Sequence, residues 1–261
     1  MAEFWNTPEN PFLEARRSCQ QVSCYRSHVH DRFSVGLIDA GSTQFTGAAG
    51  ATAQLLPGDV IVIPAGHVHA CNPEAGTWEY QMIHAEHVWA TELLGEDRSP
   101  LFENVRIIRD AQLHDRISAF IAALFDGLDL AQCQHRFRTI LQELQDAPPH
   151  QVIGSEAQGN HEVWMQEVLE ILSSAEANPD LTELAAVAGV SKYHLIRSVK
   201  RRTGLAPIAW RQNSRINAAR QLLRSGASVA DTAATLGYAD QSHFHRAFRA
   251  HVAATPGAYG K

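Results

Sequence analysis

What the chain lacks narrows the field first. No stretch of its 261 residues approaches the ~18 consecutive apolar positions of a membrane-spanning helix, so a membrane partner is not expected. Met1 to Pro11 offers neither a basic opening nor an apolar centre, so a secretory leader is not expected either. Cysteine is scarce and unpatterned. Cys19, Cys24, Cys71 and Cys133 show no CxxC spacing, which points to reduced thiols and a cytoplasmic protein. There is no nucleophile elbow, no phosphate-binding glycine loop and no arrangement of paired carboxylates. No catalytic residue is assigned on that basis, and neither an enzyme nor a cofactor is expected.

What is present is unevenly charged. The net charge of −6 conceals a basic C-terminal third. Residues 181–261 carry twelve Lys/Arg against Glu183, Asp231 and Asp240, a surplus of +9, whereas residues 1–180 stand at −15. A basic module on an acidic chain is the electrostatic footprint of phosphate binding.

The basic third contains a repeat. Ala185-Ala186 leads through Gly189-Val190 to Tyr193-His194-Leu195 and Arg197, and closes at Pro207. Ala233-Ala234 leads through Gly237-Tyr238 to Ser242-His243-Phe244 and Arg246, and closes at Pro256. A glycine ending a short apolar helix, followed by a polar and basic helix, is the turn of a major-groove reader. Two such units predict contact with two grooves of one duplex. The predicted recognition segments are Ser191–Arg202 and Asp240–His251. Their reading faces comprise Tyr193, Ile196 and Arg197 in the first, and Gln241, Ser242, His243 and Arg246 in the second. Arg197 and Arg246 are expected to reach base edges, because the guanidinium fork matches guanine O6 and N7. Ser191 is expected to cap its helix, while Lys192, Lys200 and Arg201 are cast as phosphate contacts that position without reading. Leu195, Val199, Phe244 and Phe248 should be core. Pro207 should open a long joining helix to about Leu223.

Upstream the period differs. Between about 20 and 90, short apolar stretches such as Phe33–Ile38, Ala53–Leu56 and Val60–Ile63 are broken by Gly and Pro, and Trp78–His84 alternates cleanly. That pattern predicts a small barrel or sandwich. Leu113, Ile117, Phe120, Ile121, Leu124 and Phe125, then Phe137, Ile140, Leu141 and Leu144, form two helical stripes, expected to fold back on the barrel or to pair with a second chain. Residues 146–160, with two prolines and two glycines, read as a linker. The expected organisation is therefore α+β: a sensor and dimerisation domain at 1–145, a linker at 146–160, and an all-α double helix-turn-helix domain at 161–261.

Residues 162–260 resemble the DNA-binding domain of the AraC/XylS transcription regulators. The likeness is carried by Gly237-Tyr238-Ala239-Asp240-Gln241-Ser242-His243-Phe244-His245-Arg246-Ala247-Phe248-Arg249 with Pro256, and in the first unit by Lys200-Arg201-Arg202-Thr203-Gly204. Residues 24–73 resemble the cupin-type ligand domain common in that family. Here the carriers are His28-Val29-His30, Phe33-Ser34-Val35-Gly36, and Pro57-Gly58-Asp59 running through Pro64-Ala65-Gly66-His67-Val68-His69. Cupin enzymes hold a metal with an HxH pair, a nearby Glu and a later His. His28, His30 and His69 stand at the histidine positions, but Ser34 and Val35 stand where the Glu would be. His28, His30, Ser34 and His69 are therefore candidate ligand contacts, and the three histidines alternatively candidate metal ligands. His67 should point away from His69, and His84 and His87 are not placed. The resemblance implies a homodimeric promoter-binding regulator, controlled by a small-molecule effector and activating through RNA polymerase. A metal-responsive regulator is the alternative.

Overall fold

The computed structural model describes residues 2–21, 26–47, 50–73, 76–95, 99–154, 163–174 and 179–260. The chain forms two compact units, one built mainly from residues 1–155 and the other mainly from 156–260.

The first unit is antiparallel β-structure backed by helices. Strands β1 (Ala2–Thr7), β2 (Asn10–Gln21), β3 (Phe33–Ala40), β6 (Asp59–Ile63), β8 (Thr77–Ala85), β9 (Val105–Arg109) and β10 (Gln151–Ile153) build one sheet in the order β1-β2-β8-β3-β6-β9-β10. Strands β4 (Thr43–Thr46), β5 (Thr52–Leu55) and β7 (Ala70–Pro73) build a second, with β4 central. The pleat sorts side chains strictly, because paired residues on neighbouring strands share a face. Val35 pairs with Ile83 and Val62, Ala15 with Ile83, and Leu13 with Ala85. These residues join one apolar cluster with Leu113, Ile117, Phe120, Ile121 and Leu124 of α2 (Ala111–Phe125), and with Phe137, Ile140, Leu141 and Leu144 of α3 (Leu130–Asp146). The opposite face carries Ser34 paired with His84, Gly36 paired with Met82 and Ile61, and Ser18 paired with Tyr80. Both faces of Phe33–Ile38 are thus buried, which is why that strand reads as an unbroken apolar run. Gly36 is required there. A Cβ would lie 2.7 Å from Met82 Sδ and 2.9 Å from Ile61 Cγ2.

Two features bear on the sequence reading. The apolar stripes of α2 and α3 pack inside the unit, the first of the two arrangements expected of them. Strand β10 falls inside the stretch 146–160 expected to be a linker, and it pairs with β9 through Val152–Arg106 and Ile153–Val105. The remainder of that stretch from 155 onward lies outside the described residues, as does Cys24. Cys71 and Cys133 are free thiols, and burial pushes them up to about 12 and about 11. No helix among the described residues is long and apolar enough to cross a membrane.

The second unit is helical: α4 (Met165–Ser173), α5 (Leu181–Ala188), α6 (Lys192–Thr203), α7 (Pro207–Arg224), α8 (Val229–Thr235), α9 (Gln241–Val252) and α10 (Pro256–Tyr259). The short helix α1 (His87–Leu94) belongs to the first unit's core through Trp89 and Ala90. Helix α5 begins in a capping box between Asp180 and Glu183 and ends at Gly189, whose φ of 65° favours a residue without a side chain. Leu184, Ala185 and Ala188 then meet Leu195 and Val199 of α6 and Met165, Val168 and Leu172 of α4 in one core cluster. The second half is cored by aromatics. Phe244 packs on Tyr238 and Phe248, and Phe248 on Tyr259.

Candidate DNA interface and ligand chamber

The reading helices α6 and α9 are held by matching devices. Ser191 accepts a hydrogen bond from the His194 amide at 3.2 Å, and Asp240 accepts one from the His243 amide at 2.6 Å. Leu195, Val199, Phe244 and Phe248 are fully buried on the inner faces. The outer faces stay open. Ser191, Lys192, Tyr193, Arg197, Lys200 and Arg201 are exposed on or beside α6, and Gln241, Ser242, His243 and Arg246 are exposed on α9. Ile196 is half-buried, so only part of its side chain is offered. Tyr193, at 85% exposure, is an aromatic ring that no packing requirement explains.

The basic surplus is not all footprint. Arg211 and Arg220 are buried, Arg215 lies over the Tyr238 ring at 5.5 Å, and the Tyr259 hydroxyl accepts from Arg220 Nε at 3.1 Å and Arg224 Nη1 at 3.0 Å. Burial, then the neighbouring Arg215, lowers the Arg211 guanidinium from its ordinary value. Four of the twelve cations are thereby built into α7 and its contacts. Arg249, exposed in the last turn of α9, joins the accessible group and was not assigned from sequence. Its signal was its position three residues beyond Arg246, one turn along the same helix.

Two of the histidines predicted from the motif, His30 and His69, come together in the first unit with ring centroids 5.1 Å apart. His28, His30 and His69 place one ligand nitrogen each within 4.8 Å of one another. His28 Nδ1 lies 2.8 Å from the Arg26 carbonyl and His69 Nδ1 lies 2.9 Å from the His67 carbonyl. Because a carbonyl only accepts, each Nδ1 carries the proton and Nε2 is the lone-pair nitrogen of those rings. His67 is elsewhere in kind. It is buried, neither ring nitrogen has a partner, and burial lowers its pKa. Ser34, at the position of the missing Glu, makes a 2.8 Å hydrogen bond between its hydroxyl and His84 Nδ1, and the His84 ring packs on His30 at 4.6 Å.

Around this cluster the same sheet face adds groups that the sequence did not single out. Arg16 is a buried cation whose Nε donates to Ser18 Oγ at 2.6 Å. Its guanidinium lies over Phe4 at 5.1 Å and Tyr80 at 5.2 Å, and Tyr80 stacks on Trp78 at 4.1 Å. Phe45, from the second sheet, stacks on His69 at 5.9 Å. Aromatic rings, imidazoles and a guanidinium are here the groups able to orient a polar or anionic organic molecule. The same donor set, three imidazoles without a carboxylate, suits a borderline divalent ion.

Comparison with known proteins bears directly on these two surfaces. Residues 10–145 match the model of the AraC-like ligand binding domain, and residues 184–261 match a helix-turn-helix domain. The chain belongs to the AraC family of transcriptional regulators. This AraC-family chain is 28% identical to the HTH-type transcriptional regulator YbfI of Bacillus subtilis (strain 168) over 238 residues, covering 88% of this chain and 85% of that protein. It is 25% identical to the arabinose operon regulatory protein of Escherichia coli (strain K12) over 223 residues, covering 77% and 70%. The fold matches the crystal structure of ToxT from Vibrio cholerae O395 with a TM-score of 0.58 at 10% identity, over 100% of this chain and 96% of that one. The chain is accordingly a DNA-binding transcriptional regulator with an N-terminal ligand-binding domain of cupin-like fold, and not an enzyme.

Proposed function

We propose that this AraC-family regulator reads promoter DNA with α6 and α9 in successive major-groove segments, under control of an organic effector held in the N-terminal chamber. One observation carries the reading: two capped helices, locked by Leu195, Val199, Phe244 and Phe248, each turn an exposed arginine outward, Arg197 and Arg246. Helix α7, with 18 residues, is about 27 Å long at ~1.5 Å per residue, a fitting spacer for sites one turn of duplex apart. In this reading Arg197, Arg246, Ser242, His243, Gln241 and Tyr193 address bases, and Ser191, Lys192, Lys200, Arg201 and Arg249 address phosphates. Ile196 offers a partial apolar contact to a thymine methyl.

The effector is read as a small organic molecule with an anionic or strongly hydrogen-bonding group. Arg16, His28, His30, Ser34, His69 and His84 are its polar contacts, and Tyr80 and Phe45 its apolar walls. The ToxT structure holding an unsaturated fatty acid, a carboxylate on an apolar body, is a precedent of matching chemistry on this fold. Pairing of two chains would use the outward polar faces of α2 and α3. Activation through RNA polymerase is the direction suggested by relatives such as the transcriptional activator NphR of a Rhodococcus species, 37% identical over 87 residues, a third of this chain. Genome-wide promoter occupancy with and without candidate carboxylates tests the reading. Occupancy that concentrates at palindromic or direct-repeat promoter sites and shifts with one effector is expected. Uniform occupancy unaffected by Arg197→Ala with Arg246→Ala would overturn it.

A metal-responsive regulator is the second reading, favoured by the convergence of His28, His30 and His69 and by the carbonyl partners that set two of their tautomers. Those three side chains would hold the ion. Metal content of the purified chain and of its His28→Ala/His30→Ala/His69→Ala variant decides between the two. A stoichiometric ion, lost in the variant together with metal-dependent operator affinity, is the outcome this second reading requires.

A further inference from the structure

The helix-facing side of the large sheet changes character along its length. Near one end it is apolar, with Leu13, Ala15, Val35, Leu37, Ile83 and Ala85 under the helices. One step further along each strand, the same face presents Arg17 on β2, Asp39 on β3, and Gln81 and Glu79 on β8, with Ser118 of α2 above them. Together with Glu3 of β1 they line a cleft of about 440 Å³, within the ordinary range of a small-molecule site.

Gln81 is the informative member. It is 8% exposed, and its amide nitrogen donates to Asp39 Oδ1 at 3.1 Å and to Ser118 Oγ at 2.9 Å. Those two bonds fix the amide orientation, and the Oε1 atom on the other side is buried with no hydrogen-bond partner. Leaving a buried amide oxygen unpaired is costly, so such an atom marks a place where a donor belongs. The rest of the lining agrees in sign. Three carboxylates face one guanidinium, and that guanidinium lies over the Phe125 ring at 4.5 Å. Asp39 is also held by His114 at 3.3 Å, and burial raises its carboxyl above the usual value, a cost that a nearby cation would relieve.

We propose that this cleft between β8 and α2 binds a small organic cation, an amine whose ammonium donates to Gln81 Oε1 and the Asp39 carboxylate while Glu79 and Glu3 complete its neutralisation. Gln81, Asp39 and Glu79 lie on the helix-facing side of the sheet, opposite Ser34 and His84, while Ser18 and Tyr80 of the other face also line the cleft. Because Gln81 belongs to a strand and Ser118 to α2, an occupant ties the helix to the sheet.

The test is calorimetric titration of the full chain with three four-carbon probes of equal length: 1,4-diaminobutane, 1,4-butanediol and succinate. Saturable binding of the diamine at one site is expected, with the diol weaker by about tenfold or more and succinate silent, as charge-assisted hydrogen bonds require. Asp39→Asn and Glu79→Gln should each weaken the diamine, whereas Glu103→Gln, which removes an equal charge outside the cleft, should not. Glu79 and Glu103 are both exposed, so neither substitution threatens folding. No saturable heat with the diamine, equal affinity for the diol, or equal losses from Glu79→Gln and Glu103→Gln would each overturn the proposal.

Discussion

At the residue scale, the two classes of basic side chain should separate experimentally. Arg246→Ala is expected to weaken operator binding by about 1–3 kcal/mol and to relax one base position, since a bidentate base contact is lost. Lys200→Ala should weaken all sequences alike and flatten the salt dependence, because a phosphate contact carries no sequence information. Quantitative binding to a library of operator variants checks both, and equal loss of specificity in the two variants would reverse the assignment. His67 predicts a pH effect. Burial holds its native pKa below 6.5, so the unfolded chain takes up the proton first, and stability is lost as pH falls below about 6.5. His251, lowered chiefly by burial, acts with the same sign in the other unit. Denaturant unfolding of the His67→Phe variant across pH 5 to 8 should show a shallower decline than the parent chain. The motif singled out His28, His30 and His69, whose ligand nitrogens lie within 4.8 Å of one another, yet the placement of His84 was invisible. Its partner Ser34 lies 50 residues away, and only strand pairing brings them to 2.8 Å.

At the scale of elements, helices were legible and some strands were not. The recognition helices follow from local signals, a capping side chain, an i, i+3, i+4 apolar stripe and a glycine stop, all within a dozen residues. Strand β2 lacked a comparable signal because its inward positions are Glu14, Arg16 and Ser18, all buried, where a reader expects apolar side chains. The alternation was present, carried by Leu13 and Ala15 alone. Strand β10 is short and made mostly from its pairing with β9. Two predictions belong here. Phe120→Ala should destabilise the first unit by about 3–5 kcal/mol, because it opens a cavity where the ring stacks on Phe137 in the shared core. Asp240→Ala should cost about 1 kcal/mol by removing the cap of α9, with operator affinity falling further than stability if that helix end approaches DNA. Thermal unfolding monitored by circular dichroism, alongside operator titrations, measures each.

For the whole molecule, charge bookkeeping gives the sharpest expectation. If all twelve C-terminal cations met phosphates, log affinity against log salt would slope at about −11 per bound chain, at ~0.9 per phosphate. The exposed set of Lys192, Arg197, Lys200, Arg201, Arg246 and Arg249 by itself would give about −5 by the same rule, and less where arginines address bases. Filter-binding or anisotropy titrations between 50 and 300 mM salt distinguish the two slopes. A value near the steeper limit would mean that Arg211, Arg215, Arg220 and Arg224 leave their intramolecular contacts on binding. The acidic first unit opposes DNA, in keeping with a sensing role for that half.

The amino-acid order alone determined the two-part plan, the tandem reader and the identity of its outward arginines, because helix periods, caps and charge distribution are properties of short segments. Only tertiary structure decided which cations are spent inside, that the stripes of α2 and α3 are covered by the molecule's own barrel, and which strands deliver Arg16, Ser34 and His84 to one sheet face. Those outcomes depend on pairing between residues far apart along the chain. There the energy of a contact is shared by two distant partners, and neither segment records it by itself.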